Sequence, residues 1–174
     1  AATLHALGLK TVLVETDTNY TLSTIRKINL HKQGAEGSQH FRILGSEDET
    51  VLDDVAKLHK SDRPDVVIVD SAGKTTTEPI RKLALSSDLI LLPSSLSQND
   101  LLVTYQTVQD LKPATDHNPN TRLMVLPNQI HSKTAPKTVA LHMEMLGVPI
   151  LKNFLPKKNL FVQYDTLSHE AEYE

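Results

Sequence analysis

The chain has 174 residues, 39% of them hydrophobic, with 18 Lys plus Arg against 21 Asp plus Glu and a formal charge of −3. That is enough length for one sizeable core and too little positive charge for a global basic field. The absence of cysteine excludes a disulfide framework, a thiolate zinc site, an iron–sulfur cluster and a cysteine nucleophile.

The first residues, AATLHALG, predict the last two turns of a helix ending at Gly8. No apolar run approaches the ~20 residues that span a bilayer, and this start lacks the basic region and apolar length of a signal peptide, so neither secretion by that route nor integration into a membrane is expected. Further along, Val, Ile and Leu recur in consecutive runs at Thr11 to Val14, Val66 to Val69, Leu89 to Leu92 and Leu123 to Leu126, with weaker candidates at Phe41 to Leu44 and Val148 to Leu151. Continuous apolar runs without polar alternation predict strands buried on both faces.

The segments between them are amphipathic. Ser46 with Glu49 predicts a capping box ahead of Val51, Leu52, Val55 and Leu58 on one helical face. Ser97 with Asp100 precedes Leu101, Tyr105 and Val108, while Pro136 sits in the first turn of a helix bearing Val139, Met143 and Leu146 before Gly147 closes it. Gly34 to Gly37 and Pro113 to Asn120 are the most loop-like stretches, and the tail HEAEYE is acidic. Alternating strands and helices demand an α/β fold, a mostly parallel, doubly wound sheet with helices on both faces. Ligands in that architecture bind beyond the carboxyl ends of the strands.

Those ends carry chemistry. Glu15-Thr16-Asp17-Thr18-Asn19 follows the first run, Asp70-Ser71-Ala72-Gly73 the second, Pro93-Ser94-Ser95 the third and Pro127-Asn128 the fourth. Two acidic groups and an asparagine are thus expected on one sheet edge. An acid placed as Asp70 is can hold magnesium through water, because that ion keeps several waters and needs only one or two carboxylates beside substrate phosphates; the plainer role is to cap a helix or begin a turn. The eight histidines include no pair at i, i+4 spacing, so no dedicated metal site is expected from them. Gly73-Lys74-Thr75-Thr76 imitates the end of a phosphate loop, but the glycine required five residues before the Gly-Lys pair is Ile68, inside a strand.

The order LHALGLKTVLVETDTN, DVVIVDSAG, DLILLPSSLSQNDL, RLMVLPNQI and GVPILKNFLPKKNLF resembles the ParA/MinD family of partition and positioning ATPases, the deviant Walker A group, over residues 1 to about 165. The resemblance implies a P-loop NTPase fold in a single domain over residues 1–174, with a further strand and a K-G-G-x-G-K-[ST] loop expected upstream of residue 1. Either the chain is a fragment or it is a degenerate relative that binds without hydrolysing, and the fragment is the expectation adopted. By the same resemblance Asp17 places the attacking water and Asp70 holds Mg2+ through water. Glu15 and Asn19 fall in the nucleotide motif, with Glu15 for the family's first aspartate, Thr18 for its proline and Asn19 for its glutamine. The resemblance further implies that Asn128 bonds the adenine base and that Pro156 lies near the segment on the base's other side.

The cofactors implied are ATP/ADP and Mg2+. The partners implied are a second copy in an ATP-bound homodimer, nonspecific DNA and a DNA-bound adaptor of ParB type, in a bacterial cytoplasm and on the nucleoid. Lys152, Lys157 and Lys158 form a suggestive basic cluster whose plainer role is solvated surface charge. Two other readings fit parts of the sequence: a nucleotide-free scaffold of the same fold, and a phosphoacceptor receiver module, with VLVETD and PDVVIVD as its acidic pocket and phosphorylated aspartate.

Overall fold

A computed structural model of the chain describes residues 1–17, 19–33, 41–71 and 77–158. The elements follow as α1 (Ala2–Ala6), β1 (Thr11–Glu15), α2 (Thr21–Gln33), β2 (Arg42–Gly45), α3 (Val51–Ser61), β3 (Val66–Asp70), α4 (Glu78–Leu85), β4 (Leu89–Ser94), α5 (Gln98–His117), β5 (Arg122–Pro127) and α6 (Pro136–Met143), the last prolonged by a 3-10 turn at Glu144–Leu146. All strand pairs are parallel, so strand and helix alternate as the apolar runs predict. The described residues divide into two compact units, one within residues 1–71 and the other within residues 77–158.

In the first unit β1 is the middle strand of the order β2-β1-β3. Its five residues, Thr11 to Glu15, are all buried, as befits a strand covered on every side. Leu13 packs with Ala2 and Phe41, and Leu22, Ile43 and Ile68 close around them. On α3, Val51 and Leu58 are buried, while Leu52 and Val55 are half-buried. Arg26 of α2 lies over the Phe41 ring, 4.7 Å from its centre, and donates to the Phe41 carbonyl at 3.0 Å; burial pulls its pKa below the ordinary arginine value.

The second unit contains the parallel pair β4-β5. Leu101, Val125, Ile130, Val139, Met143 and Leu146 form one of its cores, and Ala84, Val108, Leu111 and Leu123 another. Pro136 opens α6 and Gly147 takes φ +69, the left-handed conformation that ends the helical segment. The last weak strand candidate is a single bridge, with Ile150 beside Val125.

Three local expectations need correction. Ser46 and Glu49 do not box the start of α3: the backbone amides of Thr50 and Val51 both bond the Glu47 carbonyl, Thr50 occupies the cap position, and the Ser46 hydroxyl donates to Asp54 at 2.8 Å. Pro113 does not begin a loop, because α5 runs through it to His117, anchored by buried Val108 and Leu111 one turn earlier. Nor are all the apolar strands buried on both faces. Leu89 and Leu91, on one face of β4, are 49% and 43% exposed, whereas Ile90 and Leu92 on the other face pack against the core of Ala84, Val108, Leu111 and Leu123. The segment Gly34 to Gly37 and the acidic tail lie outside the described residues.

Candidate functional site

Parallel register puts Gly45, Glu15 and Asp70 in one row across β2, β1 and β3, at the strands' carboxyl ends. Glu15 is 1% exposed. Its side chain reaches forward to α2: Oε1 accepts the Leu22 amide at 2.7 Å, and Oε2 accepts the Ser23 amide at 3.1 Å and the Ser23 hydroxyl at 2.9 Å. A buried carboxylate thus satisfies two amides that the first turn of α2 leaves unpaired and meets the positive end of the helix dipole. Glu15 is the helix's distant cap.

The described residues between Glu15 and α2 are also tied back. The Thr16 amide donates to the Asp70 carbonyl at 3.1 Å, and its hydroxyl donates to the same oxygen at 3.4 Å. Asp17 folds back on its own turn, its Oδ1 accepting the Asn19 amide at 3.0 Å and its carbonyl the Tyr20 amide at 3.0 Å. Asn19 is exposed. Thr18, also part of the predicted motif, lies outside the described residues.

Asp70 reaches solvent at the end of β3, yet its carboxyl is pushed above the ordinary aspartate range. Partial desolvation is the main cause, and the Glu15 and Asp17 carboxylates push the same way. The structure thus brings the Glu15 and Asp17 carboxylates near enough to act on Asp70. A small divalent cation would relieve that repulsion, which is the sense in which these donors fit magnesium. Among the described residues no three His, Asp or Glu side chains form a metal-ligating group, so such an ion would take one carboxylate with water and substrate oxygens.

In the second unit β5 ends at Pro127, and the Asn128 amide donates to the Ser94 carbonyl at 2.8 Å. The side-chain oxygen of Asn128 accepts the Gln129 amide at 2.9 Å, with Gln129 at φ +53. Pro156 arrives beside this turn by a parallel bridge to Ile130, and the flanking amides of Leu155 and Lys157 bond the carbonyls of Pro127 and Ile130. Asn128 and Pro156, 28 positions apart, therefore stand on adjoining backbone segments. Ser97 caps α5 as its spacing predicts, accepting the Asp100 amide at 3.1 Å, and Ser95 donates to the Asp100 carboxylate. A surface cavity of about 790 Å3 along α6, lined among others by Lys137, Leu141, Glu144 and Ile150, includes neither Asn128 nor Pro156.

Sequence reasoning missed Thr16, Ser23, Tyr20 and Gly45. Tyr20 adopts φ +46, rare for a bulky residue, and its ring lies on Gly45. No tyrosine or glycine count carries that contact.

No family model and no curated protein matches the chain. Solved structures do match in fold. The MinD cell division protein of Aquifex aeolicus superposes with a TM-score of 0.65 at 16% identity, covering 93% of this chain and 75% of its own. A ParA family ATPase from Chlorobium tepidum gives 0.64 at 15%, covering 98% and 81%. An ATP complex of Cyanothece McdA gives 0.61 at 14%, covering 94% and 78%. The chain therefore has the α/β fold seen in MinD, the ParA family ATPase and McdA, as the resemblance carried by its strand-end motifs implies.

Proposed function

We propose that this chain is the body of an ATP-dependent positioning or partition protein, in which ATP and Mg2+ drive dimerisation and slow hydrolysis. The observation that carries the reading is that Asp70 shares a row of strand ends with Glu15, with Asp17 just beyond, and that its solvent-exposed carboxyl, pressed by both acids, is open to a cation. On this reading Asp70 holds Mg2+ through water and Asp17 orients the attacking water. Glu15 and Asn19 shape the loop on either side of Asp17, and Asn128 bonds the adenine with Pro156 beside it. Magnesium supplies charge neutralisation at the phosphates, which is most of what phosphoryl transfer asks of a protein.

The two units are read as one domain. The partners are a second copy, a DNA-bound adaptor of ParB type and nonspecific DNA. DNA binding draws support from Lys133, Lys137, Lys152, Lys157 and Lys158, all exposed, which share the stretch 131–158 with Glu144 as its one acid. Among the neighbours, MinD has also been solved as a complex with MinC, a precedent for partner binding on this fold. No described helix is long and apolar enough to cross a membrane.

The reading is tested by calorimetric titration of the full gene product with ATP, with and without Mg2+. Asp70→Ala is expected to abolish the Mg2+-dependent part of the affinity, and Asn128→Ala to weaken ATP by about tenfold, the value of one lost hydrogen bond to a polar base. Affinity that does not respond to Mg2+, or to either substitution, would contradict it.

A further inference from the structure

The Asp17 loop is held at its far end by a contact that the proposed chemistry does not mention. Tyr20, the last residue before α2, sits at φ +46, and its amide bonds the Asp17 carbonyl while its own carbonyl accepts the Thr24 amide at 2.9 Å. The backbone there passes directly from the Asp17 turn into the helix. The Tyr20 ring lies so close over Gly45 that a β-carbon built on Gly45 would come 2.7 Å from Cε1 and 3.0 Å from Cδ1. Gly45 itself is not left-handed, so what demands glycine is the ring and not the backbone. Gly45 is also the partner of Glu15 in the β1–β2 register, and the neighbouring Ser46 amide bonds the Glu15 carbonyl at 2.9 Å. One end of the loop is thus joined to β1 at Glu15 and tied to β3 by the Thr16 amide and hydroxyl on the Asp70 carbonyl, and the other is pressed against β2 through Tyr20.

We propose that Tyr20 and Gly45 form an aromatic-on-glycine latch that positions Asp17, so that both are positioning residues for the water-orienting step. The inference rests on the ATPase reading for its catalytic consequence, though the latch itself is a matter of loop geometry. A left-handed tyrosine is strained and persists only when its surroundings over-determine it; the bare surface of Gly45 supplies the flat seat that holds the ring. Any side chain at 45 must lift the ring by several tenths of an ångström, and the ring is one residue from Asn19, whose amide bonds the Asp17 carboxylate. Misplacement of about 1 Å in a catalytic group costs about 10²-fold in rate, so even a fraction of that shift is measurable.

The test is a double-variant cycle on the full gene product, Gly45→Ala and Tyr20→Gly singly and together. It is read by ATP turnover, ATP affinity and amide hydrogen exchange at Asn19 and Tyr20 (or the glycine replacing it). Gly45→Ala is expected to lower kcat about tenfold or more with ATP affinity unchanged, and to speed exchange at both amides. In the Tyr20→Gly background, which has no ring to displace, the same substitution is expected to change neither quantity by more than about twofold. Equal effects of Gly45→Ala in both backgrounds would overturn the latch, as would no effect in either.

Tyr20→Gly removes atoms and suits a positive φ, so it carries the test if Gly45→Ala does not fold. It must lower kcat while sparing affinity, and full turnover in that variant would overturn the proposal. If the unsubstituted protein neither binds nor hydrolyses ATP, the ATPase reading fails, and the exchange cycle alone decides whether the latch exists.

Discussion

Asp70 ends a strand whose register partner, Glu15, is buried and committed to α2, and the nearby Asp17 is turned back on its own loop. Neither neighbour moves away easily, so Asp70 bears the repulsion, and its raised pKa is an unfavourable contribution to folding at neutral pH. The sign follows from linkage: the folded state binds the Asp70 proton more tightly than the unfolded chain. The penalty is therefore absent below the ordinary aspartate range and grows as pH rises through the folded-state value. Asp70→Asn is expected to raise the melting temperature at pH 7, with the gain shrinking to nothing near pH 3. A gain of equal size at both pH values would show that packing, and not charge, explains it. On the proposed reading, Asp70 would serve magnesium binding at some expense of stability.

At the scale of elements, the helical segment from Pro136 to Gly147 shows how far local chemistry specifies structure. Proline sets the first turn, Val139, Met143 and Leu146 fall on the buried face, and Gly147 closes the segment at φ +69. A β-carbon at Gly147 would meet nothing within 4 Å, so Gly147→Ala isolates the backbone term. It is expected to cost about 1–2 kcal/mol of unfolding free energy, the strain of a left-handed alanine, measured by urea denaturation. A neutral result would mean that the segment's end relaxes to another conformation.

The βα order, the capping of α5 by Ser97 and the strand ends bearing Glu15, Asp70 and Asn128 were all legible in the sequence, because each rests on residues within one turn or one strand. What was not legible depends on contacts made across distance. The Ser46 hydroxyl goes to Asp54 eight residues away, so a good capping box was spent elsewhere. Pro113 is tolerated in α5 because Val108 and Leu111 are already anchored in the core. Glu15 serves α2 only because the intervening loop closes, and Tyr20 needs Gly45 only because β2 lies where it does. Sequence spacing names the acids and leaves their division of labour to tertiary structure.

At the scale of the whole molecule, likeness in fold to MinD, a ParA family ATPase and McdA holds at 14 to 16% identity. So low an identity identifies the architecture and leaves activity to be argued from the site. The first unit holds Glu15, Asp17 and Asp70, and the second holds the adjoining Asn128 and Pro156 segments and an exposed lysine-rich stretch. The central catalytic claim of the proposed reading is that Asp17 serves the chemical step of ATP hydrolysis. The most direct measurement is single-turnover hydrolysis of Mg-ATP by the full gene product and its Asp17→Ala variant, at ATP concentrations that saturate both. A variant that binds ATP as tightly as the parent but hydrolyses it at least about 10²-fold more slowly, the scale of a lost general-base or water-positioning group, is the predicted result. Hydrolysis at the parent rate in the Asp17→Ala variant would contradict the account.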